Sequence, residues 1–268
     1  MASSNAPVSI KSITLVVNGL NKMIDFYRDV IGLNETSRDA SSAKLGQGDN
    51  VLLHLLEDRD ARAYPREAGL FHTAFVLPDR ADLGSWLSHA KSTGVKLDGA
   101  ADHMVSEAIY LNDPEGNGIE VYVDRERSNW SVKDNGEILL GSTRLDLEDL
   151  EASAKSDWKG LPDDSVIGHV HLQVGDFAKA DDFYQDQLCM TKTMSDKHVS
   201  FYSSGGYHHH FAGNIWNSRG ASLRPVDATG FYEVELKVEN SNRDMSDLVD
   251  PWGMKIRFSE AEVQEAGV

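Results

Sequence analysis

The feature that most constrains the fold of this chain is the recurrence of one segment 157 residues further along. Residues 12–33 and 169–190 align without a gap and are identical at seven of 22 positions. Each copy begins with alternating apolar residues, which is the period of a half-buried strand. A turn and a helical pattern with a Phe-Tyr pair follow, and further strand patterns come next. Each copy therefore predicts a βαβββ module.

A second, weaker repeat completes the layout. Residues 69–80 resemble residues 230–241, and residues 113–121 resemble residues 250–258. The distance along the sequence between the two copies is 161 residues for the first pair of segments and 137 for the second. The later copy is therefore about 24 residues shorter between these segments. In the earlier copy this interval carries a helical pattern. The sequence thus predicts four modules, the fourth of which is abbreviated in its helix.

The modules divide the chain into two halves and a connector. Modules one and two occupy residues 8–124, and modules three and four occupy residues 166–260. Residues 125–165 are rich in charge and contain the pattern LDLEDLEASA, which predicts a linker with one short acidic helix.

Composition excludes some classes of partner. The 268 residues carry a net charge of −17, which argues against nucleic acid and anionic membranes because both require a positive surface. A single cysteine excludes an intramolecular disulfide and fits a reducing compartment. The sequence contains neither a long apolar run nor a signal-peptide pattern. We expect a cytoplasmic protein that binds a small molecule, and a homo-oligomer is compatible with these features.

Four motifs carry a family resemblance over essentially the whole chain. They are GLFHTAF (69–75), DHMVSEAIYLNDPEGNGIEVYVDR (102–125), IGHVHLQV (167–174) and GGYHHHFAGNIWNSRGA (205–221). Together they resemble the vicinal oxygen chelate superfamily of glyoxalases, bleomycin resistance proteins and extradiol dioxygenases, and most closely its catechol-2,3-dioxygenase-like branch. The resemblance implies an α+β fold in which the four modules form two cupped mixed β-sheets with helices outside.

The resemblance also implies a metal site. Extradiol dioxygenases hold Fe(II) with two histidines and one glutamate, and the motifs carry these positions onto His72, His169 and Glu120. Mn(II), Zn and Ni are the alternative metals. Ser12 stands at the module-one position equivalent to His169, while Glu233 and Arg257 stand at the module-four positions equivalent to His72 and Glu120. Neither sequential pair of modules therefore has all three ligands. We therefore predict that modules two and three form the metal-binding cup, while modules one and four pair into a degenerate one.

A rival placement keeps sequential pairing. It builds the site from His169, one of His208–His210 and Glu233. If residues 208–210 form a strand, His208 and His210 share one face and His209 takes the other.

Three further residues match positions that act on substrate in the ring-cleaving enzymes. His209 corresponds to the histidine that shuttles a proton, and Tyr110 corresponds to the tyrosine that hydrogen-bonds the substrate oxygen. His103 is predicted to line the mouth of the same site, whereas His171 is interpreted as structural.

The predicted function is metal-dependent extradiol cleavage of a catechol by O₂, which yields a ring-opened semialdehyde in aromatic compound catabolism. One alternative is a glyoxalase-like lyase or isomerase, which normally requires a second carboxylate in the cup. The other is a metal-free small-molecule (drug) binding protein of the same superfamily. Three intact ligand positions count against the latter.

Overall fold

The computed structural model describes residues 6–239 and 246–260, and its strands form two mixed sheets. The seven-stranded sheet has the order β14-β15-β13-β1-β4-β3-β2. Its strands are β1 Val8–Val17, β2 Asn34–Arg38, β3 Ser42–Gln47, β4 Asn50–Glu57, β13 Gly230–Val238, β14 Leu248–Val249 and β15 Lys255–Glu260. The eight-stranded sheet has the order β10-β11-β12-β9-β5-β8-β7-β6. Its strands are β5 Gly69–Leu77, β6 Gly99–Asp102, β7 Ser106–Asn112, β8 Gly118–Asp124, β9 Val166–Gln173, β10 Thr191–Ser195, β11 Val199–Ser203 and β12 Phe211–Asn214. This is the α+β architecture that the sequence predicts.

The helices follow the module pattern. They are α1 Leu20–Phe26, α2 Arg80–Ser92, α3 Leu147–Ala152 and α4 Phe177–Asp181. The first and fourth continue into single π-helical turns at Tyr27–Ile31 and Asp182–Gln187, which place the repeated tyrosines in the core. Helix α3 is the short acidic helix predicted in the linker, and the Asp146 carboxylate caps its start. None of the helices in residues 6–239 and 246–260 qualifies as a membrane-spanning segment.

Each sheet contains strands from both halves of the chain. Strand β1 of module one pairs antiparallel with β13 of module four. Strand β5 of module two pairs antiparallel with β9 of module three. The predicted pairing of modules two and three, and of one and four, is therefore confirmed. The linker between the halves gives module three the length to return alongside module two.

Module four is shortened where the offset between the repeats changes. Module two places the 13-residue helix α2 between β5 and β6. In module four only residues 239–247 separate β13 from β14, and residues 240–245 lie outside the described part of the chain. This interval is too short for a helix of that length and its two connections.

Candidate metal centre and active site

Three polar side chains converge over the middle of the eight-stranded sheet. His72, Glu120 and His169 lie on the adjacent strands β5, β8 and β9, and all three are buried. Ala74 on β5 pairs directly with Glu120 on one side and with His169 on the other. Directly paired residues project from the same face of a sheet. Because Ala74 is small, the side chains of Glu120 and His169 can meet above it.

The donor atoms of this cluster fit a divalent metal. Oε2 of Glu120 lies 3.0 Å from Nε2 of His72 and 3.3 Å from Nε2 of His169. The two Nε2 atoms are 3.3 Å apart. Two ligands at neighbouring octahedral positions, about 2.1 Å from a metal, are separated by about 3.0 Å. The three atoms therefore form a triangle of the size of one octahedral face, made of the imidazole and carboxylate donors that Fe, Mn, Zn and Ni accept.

The electrostatics of the cluster also favour a cation. Burial opposes ionisation of Glu120, but the two histidines outweigh it and hold the pKa of this carboxyl well below its ordinary value. Burial lowers the pKa of His169 to about 4, so this imidazole is neutral at neutral pH. No lysine or arginine lines the surrounding cavity among the described residues. The charge of Glu120 is therefore left for a bound ion to balance.

His209 belongs to a hydrogen-bonded chain that leads to the same cavity. The Nδ1 atoms of His208 and His209 are 2.7 Å apart, and Nε2 of His208 lies 3.0 Å from Oδ1 of Asp124. The His209 ring stacks on Phe201 at 4.2 Å and lies 4.0 Å from the ring of His169. The predicted alternation of faces is wrong, because residues 208–210 precede β12 and are not strand. Both His208 and His209 therefore line the cavity, while Nδ1 of His210 contacts Ser203.

The chain fixes the tautomer of each ring. A carboxylate only accepts, so Nε2 of His208 donates to Asp124 and its Nδ1 is left as an acceptor. Nδ1 of His209 then donates to His208, which leaves the lone pair on Nε2 of His209. This Nε2 makes no hydrogen bond within the described residues. The Tyr207 hydroxyl also donates to Asp124, at 3.0 Å. His209 is thus oriented as a proton acceptor.

Tyr110 and His103 form a second polar pair at the cavity. Nδ1 of His103 donates to the Gly141 carbonyl at 2.9 Å, and with the proton on Nδ1 its Nε2 accepts a hydrogen bond from the Tyr110 hydroxyl, at 2.7 Å. Burial, reinforced by Glu120, raises the pKa of Tyr110 far above its ordinary value, so the phenol stays protonated. Because its proton is given to His103, the Tyr110 oxygen presents lone pairs to the cavity. Both predicted residues lie at the site.

The cavity has a volume of about 730 Å³ and includes residues that sequence reasoning did not assign to it. His171, interpreted as structural, lines the cavity, and its buried Nε2 has no partner within the described residues. The linker contributes Leu140–Ser142 to the wall. Asp124 could have been assigned to the site from the sequence. Side chains alternate between the faces of a strand, so residues 120, 122 and 124 of β8 share the face that carries Glu120. Nothing in the local sequence indicates the linker's contact.

The rival ligand set is wrong. Glu233 lies on β13 in the other sheet, where its Oε2 accepts a hydrogen bond from Arg257 at 2.9 Å. The second group of close donors, His169, His208 and His209, contains a ring whose nitrogens both have protein partners. The cluster of His72, Glu120 and His169 is therefore the better metal centre.

Comparisons with known proteins agree with this architecture. The profile of the Glyoxalase/Bleomycin resistance protein/Dioxygenase superfamily matches residues 9–121. The chain is 39% identical to catechol-2,3-dioxygenase of Bacillus subtilis (strain 168), and the alignment covers 97% of this chain and 94% of that protein. A solved putative dioxygenase from Bacillus subtilis subsp. subtilis str. 168 superposes with a TM-score of 0.58 at 13% identity, covering 94% of this chain and 84% of that one. Glyoxalase I from Zea mays superposes with a TM-score of 0.57 at 16% identity, covering 94% and 92%.

The two structural matches show the fold, whereas the sequence relative shows the family. Its alignment at 39% identity spans nearly all of both chains. This chain therefore belongs to the glyoxalase/bleomycin resistance protein/dioxygenase superfamily.

Proposed function

We propose that this protein is an extradiol dioxygenase that cleaves the ring of a catechol with O₂ and depends on a divalent metal, most simply Fe(II). The observation that carries the proposal is the triangle of two imidazole nitrogens and one carboxylate oxygen with edges of 3.0–3.3 Å. A facial set of two histidines and one carboxylate is typical of non-haem Fe(II) oxygenases. The similarity to a protein named catechol-2,3-dioxygenase supports the same reaction class.

The metal contributes what the side chains cannot. Iron held by His72, Glu120 and His169 would supply the positive charge that favours deprotonation of a catechol and the redox capacity that lets O₂ react with it. Both atoms of O₂ enter the semialdehyde product, so the reaction requires no external reductant.

His209 moves the proton in this proposal. Burial, with the neighbouring histidines, holds its pKa well below the ordinary value, so the ring is neutral before substrate enters. Nε2 is then free to accept a proton from a catechol hydroxyl and to return it as the ring opens. His208 continues to accept from Nδ1 in both states, so the ring does not rotate during the exchange.

Tyr110 orients the substrate on the opposite side. Its oxygen accepts a hydrogen bond from a catechol hydroxyl as long as its own proton is held by His103. His103 is in turn held by the Gly141 carbonyl of the linker. A fixed acceptor of this kind orients the hydroxyl that keeps its proton, without reorganising during the reaction. His103 acts by positioning Tyr110.

A glyoxalase-type reaction is less well supported. It normally requires a second carboxylate among the metal ligands. Among the described residues, Glu120 is the one carboxylate that belongs to either cluster of close donor atoms.

The test is anaerobic loading of the full chain with Fe(II), followed by a simple catechol and air. We expect a yellow semialdehyde whose formation consumes one O₂ per catechol, measured by absorbance and an oxygen electrode. His72→Ala and His169→Ala are expected to lose both bound iron and turnover. His198→Ala, which changes an exposed histidine, is the matched control and is expected to keep both. Turnover of hemithioacetals without ring cleavage of any catechol would contradict the proposal.

A further inference from the structure

The wall of the metal-binding cavity differs sharply from its floor. His72, Glu120 and His169 lie at the floor, with Tyr110 and His209 beside them. Above them the wall is apolar, and it consists mainly of Phe71, Val105, Leu140, Met194, Phe201 and Trp216. The volume of about 730 Å³ falls in the range that encloses drug-sized ligands, which exceeds what one dihydroxybenzene ring fills. Space therefore remains for a substituent that contacts apolar side chains.

One side of this wall is an aromatic platform. The rings of Phe71 and Trp216 meet edge to face at 5.0 Å, and Trp216 lies 5.3 Å from the ring of His171. Trp216 is 49% exposed, so part of its apolar surface has no cover from the described residues. A ligand group placed there removes this surface from water, which is favourable in proportion to the area buried. Stacking adds to this when the group is flat.

The lysine, arginine and carboxylate side chains in the described lining of the cavity are all carboxylates. Its described lining contains Asp98, Glu120 and Asp196 but neither lysine nor arginine. Nearby guanidinium groups are already engaged, since Arg125 pairs with Asp102 and Glu107. Lys96 lies outside the lining, where its Nζ is 3.7 Å from Asp98. A substrate carboxylate would therefore lose hydration without gaining a cationic partner, and the acidic rim would repel it.

We infer, on the basis of the proposed function, that the substrate is an uncharged catechol carrying an apolar alkyl or aryl substituent, and that the site rejects catechols carrying a carboxylate. The diol end binds at the floor, and the substituent lies against the platform formed by Phe71 and Trp216. The missing cation and the apolar wall are independent features that point to the same ligand.

The sharpest test is a pair of ligands that differ in charge and little in shape. 3,4-Dihydroxyphenylacetate and its methyl ester are compared on the Fe(II)-loaded full chain. We expect kcat/KM for the ester to exceed that for the acid by about tenfold or more, with the difference mainly in KM, because a buried unpaired charge weakens binding. Equal or better use of the acid overturns the inference.

Two variants test separately the charge of the rim and the contact with the aromatic platform. Asp196→Asn keeps the side-chain oxygen that accepts from the backbone amides of His198 and Val199 but removes the rim charge. It is expected to lower KM for the acid several-fold more than KM for the ester, and an equal effect on both ligands contradicts the role of the rim charge. Asp134→Asn, in the exposed part of the linker, is the control and is expected to change neither. Trp216→Ala is expected to raise KM for 4-tert-butylcatechol several-fold more than for catechol, and an equal effect on both contradicts the platform.

A binding measurement keeps the inference distinct from the proposed function. Isothermal titration of the metal-free chain with the same acid and ester measures discrimination without turnover. Tighter binding of the acid overturns the inference whatever is cleaved. Absence of ring cleavage with every catechol overturns the proposed function, while a preference for the ester would still support the predicted ligand class.

Discussion

The two sheets of this protein share one backbone plan and differ in what fills the centre. On β5 and β9, Ala74 pairs with His169, and on β1 and β13 the equivalent pair is Glu235 with Ser12. On the other side Ala74 pairs with Glu120, and Glu235 pairs with Arg257. The positions of the three candidate ligands in one sheet are therefore occupied by Ser12, Glu233 and Arg257 in the other.

The difference lies in where the balancing charge comes from. In the seven-stranded sheet Arg257 lies 2.9 Å from Glu233, and Lys11 lies 2.8 Å from Glu235, so each carboxylate is paired within the protein. In the eight-stranded sheet the basic groups within 4 Å of Glu120 among the described residues are two imidazoles, and neither lysine nor arginine reaches it. The same backbone arrangement can thus hold carboxylates that are paired with a lysine or arginine of the protein, or a carboxylate that can bind a cation from solution. The lack of an internal cation in this part of the described chain is what makes one sheet a candidate metal centre.

The largest effect is expected from Glu120→Gln, which keeps the shape but removes the charge. Loss of a partner outside the first ligand shell already costs about 10–100-fold in metal affinity, so loss of the ligand itself should cost at least about 100-fold. Ring-cleaving activity should fall with it. Metal content after dialysis and turnover after reloading measure this. Glu233→Gln is the matched control in the other sheet, and the comparison fails if the two variants lose metal equally.

A smaller but still large effect is expected at Asp124, because this carboxylate determines which nitrogen of His208 donates. The side-chain amide introduced by Asp124→Asn can turn its NH₂ toward Nε2 of His208, which would reverse the hydrogen-bond direction along the chain to His209. We expect kcat to fall about 100-fold, the scale of a positioned acid–base group, with iron content unchanged. Nitrogen NMR of the imidazoles should report a changed His209 tautomer.

Asp181, a carboxylate of module three that accepts from a tyrosine outside the cavity, serves as the control for this effect. Asp181 accepts a hydrogen bond from Tyr202 at 2.9 Å and from Lys192 at 2.9 Å. Asp181→Asn should leave kcat and the tautomer unchanged. An Asp124→Asn enzyme with wild-type kcat would show that the chain does not set the function of His209.

Periodic and repeated patterns in the sequence predicted the modules, whereas the family resemblance implied the three donor residues, and the pairing of the modules was inferred from where those residues lie. Ser12 opposite His169, together with Glu233 and Arg257 in module four, then required His169 to find its partners in the other half of the chain. The sequence did not predict the conformation of residues 208–210, where a bend before β12 brings both His208 and His209 to the cavity. It also did not place His171 or the Gly141 carbonyl at the cavity. These contacts depend on segments far apart in the chain, for which local periodicity contains no signal.

A third prediction concerns the turns that precede the last strand of modules two and four. In module two the Tyr27 hydroxyl donates to Oδ2 of Asp113 at 3.1 Å. In module four, Oδ1 of the buried Asp250 accepts from the amides of Trp252 and Met254, and the hydroxyl of Tyr184 interacts with the same carboxyl. Burial raises the pKa of Asp250 from 3.8 to about 7.

A carboxyl whose pKa is higher in the folded state binds more protons there than in the unfolded state. Between about pH 4 and pH 7 the free energy of unfolding should therefore decrease as pH rises, by on the order of 4 kcal/mol at most. Asp250→Asn keeps the amide contacts and removes the ionisation. Urea unfolding of both metal-free proteins from pH 5 to pH 8.5 should show the variant gaining stability relative to the wild type up to about pH 7 and keeping a constant difference above it. Parallel curves would exclude Asp250 as the source.

The smallest effect is expected where the seven-stranded sheet balances its own charge. Arg257→Met removes the partner of Glu233, whose side chain is 12% exposed, but Arg257 itself is 51% exposed, so water replaces much of the interaction. We expect a loss of about 1 kcal/mol in the free energy of unfolding, measured by urea titration, with bound iron and turnover unchanged. Adding Glu233→Gln should restore most of this loss, because the carboxylate that lacks a partner is then removed. If Arg257→Met instead changed the metal content of the eight-stranded sheet, the two centres would be coupled, and the difference between them could no longer be attributed to their own residues alone.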